Sequence, residues 1–385
     1  MTDFGFLLVV VLLLYLLECA VWVPAGSVAF RLPSSSKRKI RMLTRPRAGA
    51  GSGIAFSSPF SVGGGVVICS PLPIALSPQG VASDPRLATR LGRHDFIAFE
   101  DMHRIERTQR KLLINGSTFV AAPSEIQARE LGEMLERLKR KKLTDRAAQI
   151  EKEIARSFDA DFLESRLQEY AEKTERLQFG SLALFIVIFL ASPITVWRWG
   201  LAAVWPFLLA ALLLNMLLIA WDLRHAEREL FPKERETPWQ AIATVLLSPP
   251  AALHAAQYVA RHFVRGFHPL ALAAARSSEN DFRELAAWVL RDVKFAPEQS
   301  GRTNPLAADC EKWFRRRLET AVTSLLRKKG RSPDELLSPP PRESQDVQSY
   351  CPRCLCQFVI RQGVCADCGE IYLRAFDTRA VDATP

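Results

Sequence analysis

Apolar and polar positions along this chain fall into three kinds of pattern. The first is the unbroken apolar run. Phe4–Val23 is apolar apart from a glutamate at position 18, Phe179–Trp197 carries no charge, and beyond Arg198-Trp199-Gly200 the stretch Leu201–Trp221 is again uncharged. Runs of about 20 such residues are what a helix needs to cross a hydrocarbon core ~30 Å thick. Trp197, Trp199 and Trp221 stand at the run ends, where indole rings favour the headgroup level. One such run could be a buried core helix; two in tandem on so short a link predict a membrane hairpin. For the first run the alternative is a cleaved signal peptide. The acidic start Met1-Thr2-Asp3 and a run longer than the usual ~7–15 residues predict a span instead.

The second pattern is alternation. Val66–Cys69, Pro73–Leu76, Phe96–Phe99, Arg104–Arg107, Leu112–Ile114 and Thr118–Ala121 predict short strands, with Asn115-Gly116 supplying the positive φ angles of a two-residue hairpin turn. The third is helical spacing. Ser124 and Gln127 form a capping box ahead of Ile126, Leu131, Met134, Leu135 and Leu138. Thr144–Phe158 sets Ala147, Ile150 and Ile154 on one side. Asp161–Leu177, with an Asp161/Glu164 cap, presents Leu163, Leu167 and Tyr170 and runs on as a stalk into the second span. Further helices are predicted over Ala251–Gly266, Glu279–Val293 and Asp309–Lys329, the last with a Phe314, Leu318, Val322, Leu325 stripe and a Lys328-Lys329-Gly330 stop. His254, Tyr258, His262 and Arg265 share a face. The two histidines are ~12 Å apart along a helix axis, which suits interfacial lining better than a metal. Residues 48–64 read as a Gly/Ser tether, and 331–349, with Pro333 and Pro339-Pro340-Pro341, as a linker.

Charge adds orientation. The formal net charge is +10, and Arg31, Lys37, Arg38, Lys39, Arg41, Arg45 and Arg47 follow the first run with no acid among them. Such a cluster is drawn to anionic lipid heads at roughly 1 kcal/mol per charge, making Arg31, Lys37, Arg38, Lys39 and Arg41 candidate headgroup ligands; a topology signal alone is the other account. Lys173 and Arg176 precede the hairpin, Arg224, Arg228, Lys233 and Arg235 follow it, and only Arg198 lies in its turn. The positive-inside bias then places the N-terminus outside, the bulk and C-terminus in the cytoplasm, and three spans between.

Phe99-Glu-Asp-Met-His-Arg-Ile105, the Asn-Gly hairpin and the helix Ser124–Arg140 together resemble bacterial pleckstrin-homology-like domains over residues 54–141. The resemblance implies strands closed by one helix and a surface that in that family binds lipid heads or peptides. An unrelated small β-domain is the alternative.

Among eight cysteines, four form two C-x-x-C pairs: Cys351 with Cys354, and Cys365 with Cys368. Thiolate softness in a tetrahedral S₄ set selects zinc, with iron its main competitor. These residues resemble the zinc-ribbon family over 350–376. Gly369 suits the turn after the second pair; the first has Leu355 there, and Cys356 is a spare thiol. The resemblance implies one structural Zn²⁺. In 351–385, Arg353, Arg361, Arg374 and Arg379 are matched by Asp367, Glu370, Asp377 and Asp382, and a zinc tetrathiolate adds a charge of about −2. A phosphate-binding surface wants a cationic excess, so nucleic acid is not expected; protein contact through Phe358, Tyr372 or Phe376 is.

No phosphate loop, G-x-S-x-G or H-E-x-x-H is present. His94-Asp95 with Glu100-Asp101 and His103 could pair acid with base, but alternates with apolar residues as a strand and turn would. The sequence therefore predicts a multi-domain membrane protein. It has three transmembrane helices (4–23, 179–197, 201–221), a basic linker (24–53), a small cytoplasmic β-rich domain with its capping helix (54–141) and helical segments (142–178, 240–330). A linker (331–349) and a C-terminal zinc ribbon complete it. Its expected role is a non-enzymatic adaptor or assembly factor in a bacterial inner membrane, binding proteins or lipid heads. The alternative is a membrane redox protein with a tetrathiolate iron.

Overall fold

The computed structural model describes residues 3–24, 26–33, 35, 37–44, 53–56, 65–70, 74–83, 95–122, 125–232, 239–295, 304–369 and 371–376. Arg45, Arg47, most of the 48–64 tether, His94, the Ser124 cap, Lys233, Arg235, Glu370 and the charges beyond Phe376 lie outside these.

Helix α1 (Asp3–Glu18) stops short of the predicted first span. Its 16 residues rise ~24 Å, less than a hydrocarbon core. Ala20–Val23, rich in β-formers, leaves as strand β1. Next come β2 (Val28–Arg31), β3 (Arg41–Met42), β4 (Gly53–Phe56) and β5 (Val66–Cys69). β1 pairs antiparallel with β4, and β2 sits between β3 and β5. The β region thus begins at Ala20, not residue 54. The segment expected to be only a basic linker supplies wholly buried Val28, Ala29 and Phe30, because its apolar residues alternate in short groups between its charges. One face of the β1–β4 pair is buried through Val21, Val23 and Ala55; the other exposes Trp22, Ile54 and Phe56.

Two antiparallel meanders follow: β6 (Ile74–Leu76), β7 (Gly80–Ser83) and β8 (Phe96–Ala98), then β9 (Ile105–Thr108), β10 (Lys111–Ile114) and β11 (Ser117–Ala121). Asn115 and Gly116 turn β10 into β11 with φ of 53° and 80°. Helix α2 (Glu125–Lys139) packs on β9 and β10. Helix α3 (Leu143–Ser157) carries Arg146, whose buried guanidinium donates to Leu138 O (3.1 Å), Pro78 O (3.2 Å) and Glu100 Oε1 (2.7 Å) beneath the Phe99 ring. Arg146 holds Glu100 below the usual carboxylate range. Asn115 Oδ1 accepts the His103 and Arg104 amides while its Nδ2 donates to Asp101 O. The polar cluster around residues 100–103 is therefore engaged in joining strands to helices.

Helix α4 (Ala160–Ile186) is capped by Asp159, which accepts from Phe162 N, two residues before the expected Asp161 cap. It continues through a π-turn (Val187–Ala191) into α5 (Ser192–Trp199), a 40-residue rod. Pro193 has no N–H to give the preceding turn, which widens accordingly. After Gly200, at φ 79°, α6 (Leu201–Leu230) returns beside α4. The two approach closely at Gly180, where a Cβ would lie 3.0 Å from Ile219. Of their most apolar windows only 6% and 11% is buried. Among the described residues two helices, not three, are long and apolar enough to cross a membrane.

After α7 (Trp239–Leu247) the chain breaks at Ser248, and the predicted Ala251–Gly266 helix is split at His254 into α8 (Pro249–Leu253) and α9 (Ala255–Phe263). The run then gives α10 (Pro269–Arg276), α11 (Glu279–Lys294), α12 (Pro305–Lys328, capped by Asn304), α13 (Pro333–Leu336) and strands β12 (Ser349–Tyr350), β13 (Gln357–Phe358) and β14 (Arg374–Ala375). Gly330, at φ 69°, stops α12 as expected.

One apolar core runs from Val28 to Leu336 and joins parts the sequence separates. α12 lies on β6 and β7, its Cys310 Sγ reaching Ala75 O at 3.5 Å. α9 lies on β5, so close that a Cβ on Gly65 would meet Gln257 Cα at 2.6 Å. The Tyr170 hydroxyl accepts from Gly65 N (3.3 Å) and faces Ala256 O at 3.5 Å. The β-rich segment and the later helices thus form one body, because each helix presents a single apolar stripe and the sheets bury it.

Candidate metal centre

The segment leading to the cysteine cluster is anchored near its start, where Leu336 is buried and its carbonyl accepts from Arg291 Nη2 at 3.0 Å. Beyond it, β12 pairs with β13 on one side and β14 on the other.

Two loops hang from this sheet and repeat one geometry. In the first, Leu355 N donates to Cys351 O (2.9 Å) and Cys351 N to Cys356 O (2.9 Å). In the second, Gly369 N donates to Cys365 O (2.9 Å) and Cys365 N to Ile371 O (2.9 Å). Leu355 and Gly369 occupy the same left-handed position, at φ 63° and 58°. The Leu355 departure from a glycine pattern is therefore accommodated in the same turn, its side chain packed toward Val347, Tyr350 and Phe376.

The Sγ atoms of Cys351, Cys354, Cys365 and Cys368 all lie within 4.8 Å of one another, and Cys354 and Cys365 are 3.6 Å apart. A tetrahedral S₄ site with ~2.3 Å metal–sulfur bonds has edges of ~3.8 Å, so the donor set fits such an ion. Hydrogen bonding from Cys354 pulls the Cys351 thiol down to about 5, whereas Cys354 is pushed up by the same pairing and Cys368 to about 12 by burial. Four sulfurs this close cannot all ionise without a cation among them. The cluster can hold a metal ion with no protein-free position left open. Cys356 stands outside the set, exposed, donating to Asp367 Oδ2 at 3.4 Å.

The ribbon is seated on α11. Arg353, inside the first loop, donates from Nε (3.1 Å) and Nη2 (2.6 Å) to Asp292 Oδ1, and the Arg374 guanidinium lies 4.7 Å over the Phe295 ring. Neither contact is readable from the sequence, since Asp292 and Phe295 belong to a distant helix end. Of the three expected partner anchors, Tyr372 is 78% exposed, but Phe358 is half-buried against the cysteines and Phe376 is buried against Tyr350. Val359, Ile360 and Val364 are exposed instead, with Val364 bridged to Tyr372. Their apolar sequence in a polar tail was the available signal.

The basic cluster lies elsewhere. Arg31 and Arg41 face each other in register across β2 and β3, and burial together with the Arg41 charge lowers the Arg31 pKa. Lys37, Arg38 and Lys39 are exposed on the β2–β3 connection. Like charges directly opposite on a sheet repel. No protein-family model, curated protein or solved structure matches the chain.

Proposed function

We propose that this chain is a multi-pass membrane adaptor or assembly factor, without enzymatic activity, that presents a zinc-stabilised ribbon to a protein partner. The carrying observation is the ribbon itself: four closed thiolate ligands, a docking contact on α11 that fixes its orientation, and an outward patch of Val359, Ile360, Val364 and Tyr372. With all four positions filled by protein, the ion's role is structural.

Exposed apolar surface along α4–α6, and the Trp22, Ile54 and Phe56 face of β1–β4, support location in a membrane, with α1 as a shorter inserted helix. Charge flanking the hairpin supports an N-terminus outside and the bulk in the cytoplasm, as in a bacterial inner membrane. Arg31, Lys37, Arg38, Lys39 and Arg41 then contact anionic headgroups. The β9–β11 meander with α2 supports the pleckstrin-homology-like reading of that segment.

The test is in-cell photo-crosslinking from Tyr372 and Ile360, in the wild type and in Cys351→Ser. One discrete protein captured only with the metal site intact is the expected result. No protein from either position, or the same capture in both backgrounds, overturns the role assigned to the ribbon.

A further inference from the structure

Between Glu236 and Arg261 the chain contains no Asp, Glu, Lys or Arg. Folded as α7–α8–α9, this stretch is far too bent to cross a membrane, and yet its contacts carry it up alongside the two long helices. At its start, the Arg224 guanidinium lies 5.1 Å over the Trp239 ring. At its middle, Ser181 Oγ donates to Ala252 O at 3.1 Å, and His254 stacks on Tyr15 at 5.2 Å, which itself touches Phe185 and Phe189. At its end, His262 Nδ1 lies 3.2 Å from Glu227 Oε2. Arg224 and Glu227 lie beyond the apolar run that ends at Trp221, whereas Ser181, Phe185 and Phe189 lie inside the one that begins at Phe179. With a helical rise of 1.5 Å per residue, the chain climbs ~12 Å along α7, turns near the level of Ser181, and descends through α9.

The backbone donors of the turn are all used. Ser248 N donates to Thr244 O (3.0 Å), Pro249 and Pro250 have no N–H, Ala251 N donates to Ser248 Oγ (3.4 Å), and Ala252 N to Ser248 O (3.0 Å). The Thr244 hydroxyl is returned to Gln240 O at 2.7 Å. A backbone donor left open in hydrocarbon costs several kcal/mol, and here none is open from Ser248 to Ala252. On α7, Ile242 and Val245 are buried, while Ala243 and Leu247 face outward on the opposite side, and Leu247 is 84% exposed.

We propose that α7 and α8 form a re-entrant hairpin that enters one leaflet, the one on the side of the β region, and places Leu247 among lipid acyl chains. This rests on the membrane reading given above. Lipid is the occupant because the outward face of α7 continues the exposed apolar surface of α6, against which α7 packs.

The experiment uses the full chain in native membranes, with p-benzoylphenylalanine placed in turn at Leu247, Ala243, Leu213 and Leu306, and adducts identified by mass spectrometry. Leu213, exposed on α6, reports the membrane reading alone; Leu306, exposed on α12, is the aqueous control. Lipid adducts at Leu213, Leu247 and Ala243 with none at Leu306 are expected. Adducts at Leu213 but not at Leu247 or Ala243 overturn the hairpin and leave the membrane reading standing. Absence at all positions overturns both. A protein adduct at Leu247 replaces lipid with a partner and overturns the proposal as well.

Discussion

Leu167 and Cys351 are both fully shielded from solvent, but what shields them differs. Around Leu167 lies the core that runs from Val28 to Leu336, where sheets and helices from before and after the α4–α6 pair bury one another's apolar stripes. Around Cys351 there are three sulfurs, Ile371, and the edges of a sheet with strands of two residues. Small units below about 40 residues seldom bury enough apolar surface to fold alone. The large body can tolerate the loss of contacts one at a time. In the proposed reading the ribbon depends on a single ion, and its link to the body runs through Arg353, Arg374 and the Leu336 segment.

The largest expected effect separates the two outright. Chelation, or Cys351→Ser, is expected to release amide-exchange protection across 349–376 while α4, α11 and α12 keep theirs. Structural zinc contributes ~10–16 kcal/mol in finger peptides at neutral pH, more than such a small sheet supplies. If α11 and α12 lose protection too, ribbon and body form one cooperative unit and the contrast fails. The converse is Leu167→Ala. A cavity in the large core is expected to lower its stability by about 2–5 kcal/mol, read from denaturant unfolding of the reconstituted chain. The metal content should stay stoichiometric; its loss would show that the ribbon relies on the body.

How much of this was legible follows from the same contrast. The ribbon's ligands, its second turn and the Asn115-Gly116 hairpin are local: a few neighbouring residues determine them. The rod from α4 into α5 and the α12 stop at Gly330 were local too. What escaped was encoded by distant partners. The Arg146 clamp needs Pro78 and Glu100, the seat of Arg353 needs Asp292, and the fate of Val28–Phe30 depends on Val66–Cys69. An uninterrupted apolar count also overran α1, because Ala20–Val23 suits a strand as well as a helix once Gly53–Phe56 can pair with it.

Acid sharpens the comparison on the body's side. His268 is buried against Phe158 with centroids 4.3 Å apart, its Nδ1 accepts from Leu270 N, and burial pulls it down to about 3. The folded state thus keeps it neutral while the unfolded chain takes up a proton below pH ~6.5. Its contribution to stability is complete above that value and is lost as pH falls from there toward 3, at up to about 1.4 kcal/mol per pH unit. In a Cys351→Ser background, where metal release no longer adds its own acid dependence, His268→Asn is expected to flatten this slope. Asn keeps the capping acceptor for α10. An unchanged slope would assign the acid sensitivity to other groups.

The finest distinction lies within the ribbon, between its two loops. Gly369 has nothing within 4 Å of the place a Cβ would occupy, so Gly369→Ala meets only the left-handed backbone penalty, about 1 kcal/mol. Leu355 already bears that penalty and offsets it by packing toward Val347, Tyr350 and Phe376. Leu355→Gly removes the strain, loses the packing and loosens the unfolded chain, with a net change of less than about 1 kcal/mol expected. Competition with a metal-binding dye measures both, as apparent affinity. Gly369→Ala should weaken binding roughly five-fold, while Leu355→Gly should stay within a few-fold of wild type. If Leu355→Gly instead weakens it more than Gly369→Ala does, the first loop is held by its leucine and not by its backbone hydrogen bonds. The two loops, alike in geometry, would then differ in what stabilises them.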